Sequence, residues 1–332
     1  MTQSVADGTP SEARPPDASA VGRSAISGSQ ALAADAPSDP HRGPGGPAIF
    51  RGRPVPVDRA AVMAIVNRTP DSFYDRGATF ADAAALDAVR AAVDDGADII
   101  DIGGVKAGVG ADVDVAEEIR RVVPFIATVR NLWPDLIISV DTWRAEVAIA
   151  ACGAGADLIN DTWAGVDPDL VDVARQFGAG LVCSHTGGAV PRTNPFRSSY
   201  VDVVAAVLAE TTTAASKAVG KGVPAEGILI DPTHDFGKNT YHGLELLRRT
   251  GELALSGWPV LMALSNKDFV GETLGVPLNE RVDGTLAATA FAAAAGAAIF
   301  RTHQVRQTRH VLEMIGSISG RRQPSAPRRG LA

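Results

Sequence analysis

Asn67, Asp101, Asp141, Asn160, Asp231, Lys267, Arg301 and His303 each close or follow a short apolar run, and that recurring placement is the chemical signal in this chain. Asp141, Asn160 and Asp231 offer carboxylate and amide groups that match a flat heterocycle with amino and lactam edges. A carboxylate facing an amino-pyrimidine edge accepts two N–H bonds, and a buried polar group requires such partners. Asn67, Arg301 and His303 form a second set, suited to one anion, because arginine grips phosphate oxygens through two parallel bonds. Lys267, in Ser265-Asn266-Lys267, falls between the sets. A divalent ion would join through Asn67, although Mg²⁺ relies mostly on phosphate and water ligands. No His-x-His follows the first run, which argues against a metal-dependent hydrolase.

The elements that must position these groups are legible as an alternation. Strand-length apolar runs occur at 61–66, 98–102, 136–140, 157–159, 179–183, 227–230, 258–263 and 297–300. Helical patterns fall at 81–95, 115–131, 143–152, 168–177, 200–221, 240–253, 279–294 and 304–318. Continuous apolar strands between amphipathic helices predict parallel βαβ units. Eight of them match a closed (β/α)₈ TIM barrel, whose active site lies at the C-terminal ends of the strands. Polar groups closing all eight runs then share one rim. Runs one and eight would be neighbours, so Asn67, Arg301 and His303 converge. An open doubly wound sheet is the alternative, but Asn67-Arg68-Thr69-Pro70 is not its glycine-rich dinucleotide turn. Asp95-Gly96-Ala97-Asp98 and Gly153-Ala154-Gly155-Ala156-Asp157 put glycine where a helix stops and a strand begins.

Composition narrows the class. The chain has 332 residues, 45% of them hydrophobic, with a net charge of -7 and two cysteines, Cys152 and Cys183. That charge shows no basic stripe for nucleic acid, no window is long and apolar enough for a bilayer, and the cysteines read as buried reduced thiols of a cytoplasmic protein. Residues 1–55 are rich in Ala, Ser, Pro, Gly and Asp and are expected to form a disordered extension without a secretory signal. The barrel is expected over 56–320, followed by a loose arginine- and proline-containing tail over 321–332.

With these residues in place, the chain resembles dihydropteroate synthase over about residues 58 to 318. The matching segments are Ala64-Ile65-Val66-Asn67-Arg68-Thr69-Pro70-Asp71-Ser72-Phe73, Asp98-Ile99-Ile100-Asp101-Ile102-Gly103-Gly104 and Ser139-Val140-Asp141-Thr142. They continue with Leu158-Ile159-Asn160-Asp161, Ile230-Asp231-Pro232, Phe236-Gly237-Lys238, Ser265-Asn266-Lys267 and Arg301-Thr302-His303. The resemblance implies a pterin-binding barrel, a homodimer, and the joining of dihydropterin-methyl pyrophosphate to p-aminobenzoate, with Mg²⁺ assisting pyrophosphate loss. It implies that Asp141, Asn160, Asp231 and Lys267 hold the pterin. Asn67, Arg301 and His303 would hold the pyrophosphate, Asn67 would also touch the metal, and Lys267, Arg301 and His303 are the catalytic candidates.

The resemblance fails locally. Where the family has Gly-Gly-Glu-Ser-Thr-Arg-Pro-Gly, a loop that helps build the p-aminobenzoate site, this chain reads Gly103-Gly104-Val105-Lys106-Ala107-Gly108-Val109-Gly110. The family's Ser-Phe-Ser-Asp-Gly-Gly becomes Ser72-Phe73-Tyr74-Asp75-Arg76-Gly77, and its Met-His-Met becomes Ser184-His185-Thr186. Thr233 replaces the glycine after Asp-Pro, and Asn266 replaces the arginine of Ser-Arg-Lys. These substitutions resemble the divergent second branch of the family found in mycobacteria and relatives, which is regarded as lacking synthase activity. The implied function is a pterin- and pyrophosphate-binding homologue whose condensation is weak or lost. An active synthase and a non-catalytic pterin-binding or partner subunit are the alternatives. His185 is read as either pocket or core, His234 and Asp235 as loop, His242 and His310 as packing, and Trp143 and Trp163 as packing over the barrel mouth or stacking on a ligand.

Overall fold

The computed structural model describes Met1, 42–43, 46–69, 82–106, 108–193 and 199–329. The apolar runs become β1 (Ala61–Asn67), β2 (Ile99–Gly103), β3 (Ile137–Asp141), β4 (Leu158–Asn160), β5 (Gly180–Ser184), β6 (Ile228–Asp231), β7 (Leu261–Met262) and β8 (Ile299–Thr302). They pair in parallel in the order β6-β5-β4-β3-β2-β1-β8-β7. A bridge between Ile230 in β6 and Val260, just before β7, brings the two ends together. The ring is a (β/α)₈ barrel, and the open doubly wound alternative is excluded. β7 is shorter than the run at 258–263 suggested: Pro259 has no N–H to give, and only its carbonyl joins, accepting from the Ile230 amide at 3.0 Å.

The helices are α1 (Asp82–Asp94), α2 (Val115–Leu132), α3 (Ala145–Ala154), α4 (Leu170–Phe177), α5 (Val203–Gly220), α6 (Thr240–Arg248), α7 (Thr250–Ala254), α8 (Asp268–Leu274), α9 (Val282–Ala294) and α10 (Val305–Ile318). Side-chain caps set several starts: Asp114 accepts from the Glu117 amide, and Asp202 accepts from Val204 and Ala205. Gly155 and Gly178 end α3 and α4 in the left-handed conformation. The single helix expected over 240–253 breaks at Arg249, next to Thr250, whose hydroxyl donates to the carbonyls of Leu246 and Leu247. The short helix α8, between β7 and α9, has no counterpart in the sequence pattern.

Alternation along the strands sorts the interior. Val62, Ala64, Val66, Ile100, Ile102, Ile138, Val140, Ile159, Leu181, Ile228 and Ile230 face the helices in one apolar cluster. Met63, Ile99, Ile137, Leu158, Val182, Leu229, Leu261 and Ile299 fill the lower half of the barrel lumen in a second. That lower cluster is closed by residues expected to belong to the disordered extension. Residues 49–50 and 53–54 pair as an antiparallel hairpin, turned by Arg51 at φ 48° and Gly52 at φ 82°. It inserts Ala48, Phe50 and Val55 among the strand residues. Phe50 is fully buried, worth about 3 kcal/mol relative to exposure. A methyl group on Gly180 would lie 2.4 Å from its ring, so this strand start must be glycine. The extension therefore yields to ordered chain well before residue 55, because Ile49 and Phe50 have an apolar barrel floor to cover. The start of the tail is also tied down, with Arg322 pairing with Asp58 at 3.1 Å and Glu313 at 3.3 Å. Cys152 and Cys183 are free and buried, and burial pushes both thiols up to about 12.

Candidate functional site

Above the apolar floor, the inward positions turn polar in one step. Asp101 on β2 is completely buried and accepts from Ser139 Oγ on β3 at 2.6 Å, Asn160 Nδ2 on β4 at 3.2 Å and Arg301 Nε on β8 at 2.6 Å. Arg301 also donates Nη2 to Asp141 Oδ2 at 2.8 Å, and Asp141 Oδ1 accepts from Thr162 at 2.7 Å. A charge this deep requires partners, and the guanidinium fork serves two carboxylates at once. Desolvation pushes Asp141 up to about 6, against the pull of Arg301.

A polar cavity of about 110 Å³ opens above this network. Asn67, Asp141, Lys267, Arg301 and His303 line it together, so five of the seven sequence-predicted site residues converge. The register explains the anion set, because β8 pairs directly with β1. Asn160 and Asp231 are not among the residues lining this cavity, and each is 2% exposed. Asn160 keeps an unpartnered Oδ1, and Asp231 accepts from the Thr233 amide at 2.7 Å while burial pushes it up to about 6. The two sequence-derived sets are not separate, since Arg301 of the anion set is bonded to Asp141 of the heterocycle set.

The surrounding loops hold the rim. Lys267 Nζ pairs with Asp235 at 2.6 Å. Lys238 points inward and donates to the carbonyls of His185 at 2.9 Å, Thr233 at 3.1 Å and Phe236 at 3.0 Å, and burial pushes it down to about 7. Ser265 Oγ lies 2.9 Å from His303 Nδ1 and donates to Gln304. His185 is a core histidine: it is fully buried near Tyr200, its Nε2 sits 3.5 Å from Glu210, and burial pushes it down to about 4. His234 is buried against Phe269 and pushed down to about 3. Trp163 is buried between Trp143, at 6.3 Å, and Phe236, at 4.5 Å, as packing of the barrel mouth.

The sequence profile of the pterin binding enzymes matches residues 63–303, from within β1 to just past β8. The chain belongs to the pterin binding enzyme family. It is 67% identical over 285 residues to the inactive dihydropteroate synthase 2 of Mycobacterium tuberculosis, covering 85% of this chain and 90% of that protein. Among solved structures, Mycobacterium tuberculosis Rv1207 superposes with a TM-score of 0.66 at 55% identity, over 83% of this chain and 100% of that one. Dihydropteroate synthase from Yersinia pestis, solved with a sulfonamide drug, gives a TM-score of 0.77 at 32% identity, over 82% and 99%.

Within this family the chain's departures have structural content. Thr233 stands at φ 48° and Asn266 at φ 56°, both left-handed, and Thr233 is β-branched where such a conformation is strained. Val105 and Lys106, from the loop after β2, line the cavity. The segment Asp71, Ser72, Phe73, Tyr74, Asp75, Arg76, Gly77 lies outside the described residues. Asp101, named only as a polar strand end, proves to be the centre of the network, and Thr69, Lys106 and Asp235, given no site role from the sequence, join the cavity or its rim. Asp101 was detectable as a carboxylate at an inward β2 position; the others needed loop geometry.

Magnesium, expected with the diphosphate and touching Asn67, would have Asn67 as its protein donor in this cavity and would otherwise take phosphate and water oxygens. Lys106, Lys267 and Arg301 line the cavity, and both Asp141 oxygens are already engaged. Among the described residues no group of three or more His, Cys, Asp or Glu is arranged to hold a metal ion.

Proposed function

We propose that this chain is a dihydropteroate synthase homologue that binds a pterin and its diphosphate but does not carry out ordinary condensation with p-aminobenzoate. The observation that carries this reading is one cavity that receives Asn67, Asp141, Lys267, Arg301 and His303 but takes Val105 and Lys106 from the loop after β2. Family members place Glu-Ser-Thr-Arg-Pro in that loop to build the p-aminobenzoate site. Positioning two reactants supplies about 7–11 kcal/mol of barrier reduction, so a rebuilt second berth removes turnover while leaving the first berth usable. The inactive synthase from Mycobacterium tuberculosis, at 67% identity, supports the same reading.

In this reading Asp231 and Asp141 accept pterin N–H groups, with Asn160 and Lys267 completing the heterocycle contacts. Arg301 and His303 hold the diphosphate beside Asn67, with Arg301 oriented by Asp101. The homodimer implied by the family is supported by the apolar face of α6, α8 and α9, where Leu274 and Phe291 are exposed beside Leu247 and Phe269. Among the described residues no helix is long and apolar enough to cross a membrane, and a cytoplasmic setting accords with the family.

The test is a paired measurement on the full chain: calorimetric titration with dihydropterin-methyl pyrophosphate, and a pteroate assay with p-aminobenzoate and magnesium. Saturable pterin binding that weakens in Asp231→Ala, without pteroate, is the expected result. Sustained pteroate formation would show an active synthase instead, and absence of any pterin binding would remove the site assignment.

A further inference from the structure

The cavity lining contains two polar groups to which neither the pterin nor the pyrophosphate roles above are assigned, Thr69 and Lys106. Thr69, just beyond β1, is 2% exposed, lines the cavity, and its Oγ1 has no hydrogen-bond partner. A buried hydroxyl without a partner costs free energy, and a ligand oxygen would satisfy it. Lys106 lines the same cavity from the loop after β2. The other two fixed cations there are committed, Lys267 to Asp235 and Arg301 to Asp101 and Asp141. Among the described residues no carboxylate pairs with Lys106, which leaves its charge available to a ligand. A divalent ion placed beside Asn67 would share about 110 Å³ with these cations and compete with them for the same anionic oxygens.

We propose that Lys106, with the Thr69 hydroxyl, supplies the counter-charge and hydrogen bond that make diphosphate binding in this cavity independent of a divalent cation. The inference rests on the pterin and diphosphate reading of the same cavity. Lys106 is fixed to the protein, so its charge costs no metal recruitment. It arrives on the loop where the family places its second-substrate residues, and one change of loop thus explains both the altered second berth and the altered metal requirement. Lysine serves as a point charge to phosphate oxygens, and Thr69 donates its hydroxyl proton to one of them.

The test is isothermal titration of the full chain with inorganic pyrophosphate in EDTA and again in magnesium, with 6-hydroxymethylpterin titrated separately. The affinity for pyrophosphate in EDTA is expected to lie within about threefold of that in magnesium. Lys106→Gln is expected to weaken binding in EDTA by about tenfold, and magnesium should then recover part of the loss. Thr69→Val is expected to give a smaller loss in both buffers. Circular dichroism melts matching the parent would show that the Lys106 variant folds; should it unfold, Lys106→Arg, keeping the charge, must bind pyrophosphate in EDTA. Pyrophosphate binding that appears only with magnesium, or that is unchanged in Lys106→Gln, overturns the inference, and intact pterin binding in that case leaves the pocket assignment standing. Failure of both pterin and pyrophosphate to bind in either buffer overturns the pocket assignment and the inference together.

Discussion

The lower and upper halves of the barrel lumen are built from the same eight strands and hold together for opposite reasons. The lower half is an apolar cluster sealed by Phe50, where each side chain contributes by excluding water. The upper half is a charge network in which Asp101 sits completely buried only because Arg301, Ser139 and Asn160 satisfy it. The first is tolerant of gradual loss, whereas the second is vulnerable to removal of one partner. The floor closes the barrel, whereas the upper layer spends desolvation free energy on donors and acceptors fixed beside a cavity.

The largest effects on stability are expected at the floor. Phe50→Ala should lower unfolding free energy by about 4 kcal/mol through loss of burial and the cavity left behind, read in urea. Gly180→Ala, which forces a methyl group against the same ring, should destabilise the same half without touching the cavity above. In the upper half, Arg301→Leu should cost about 3 kcal/mol by stranding Asp101, and Asp101→Leu in the same chain should restore much of that loss. A double variant no more stable than the single one would show that the network is not held as described. Lys238→Met should cost about 2 kcal/mol by leaving the carbonyls of His185, Thr233 and Phe236 without their shared donor. The smallest expected stability effect is a gain: Thr233→Gly relieves a left-handed β-branched residue and should stabilise by about 1 kcal/mol, read as a higher melting temperature.

The upper layer should also respond to pH. Asp141 and Asp231 are both pushed up to about 6, above the ordinary carboxylate value. In the free protein they therefore retain protons that the unfolded chain has already released, and their contribution to stability falls as pH rises from about 4 through 6. A pterin offering N–H donors binds their ionised forms, so its affinity should rise by up to about tenfold per pH unit for each carboxylate it engages, approaching pH 6, and level off above about 7. Calorimetry across that range checks the sign. An affinity that is flat, or that falls with rising pH, would contradict these carboxylates as pterin acceptors.

Much of the barrel was legible because its signals are local. Continuous apolar strands, capped helices and a polar residue at each strand end gave the ring and brought Asn67, Asp141, Lys267, Arg301 and His303 toward one rim. What stayed hidden depended on long-range contacts. Phe50 looked like part of a disordered extension because nothing local reveals that a barrel floor needs a lid. The truncation of β7 follows from Pro259, and the break at Arg249 from a threonine hydroxyl competing for helix carbonyls. The Arg301 link between Asp101 and Asp141 spans 200 and 160 residues, and no spacing in the sequence encodes it.

In the proposed function the first berth is kept while the second has been rebuilt. The most direct measurement is titration of the full chain with dihydropterin-methyl pyrophosphate, followed in the same cell by p-aminobenzoate, with pteroate quantified at the end. Saturable binding in the first step, no further heat in the second and no pteroate are expected of a chain with one working berth. Pteroate accumulating over many turnovers would contradict that reading.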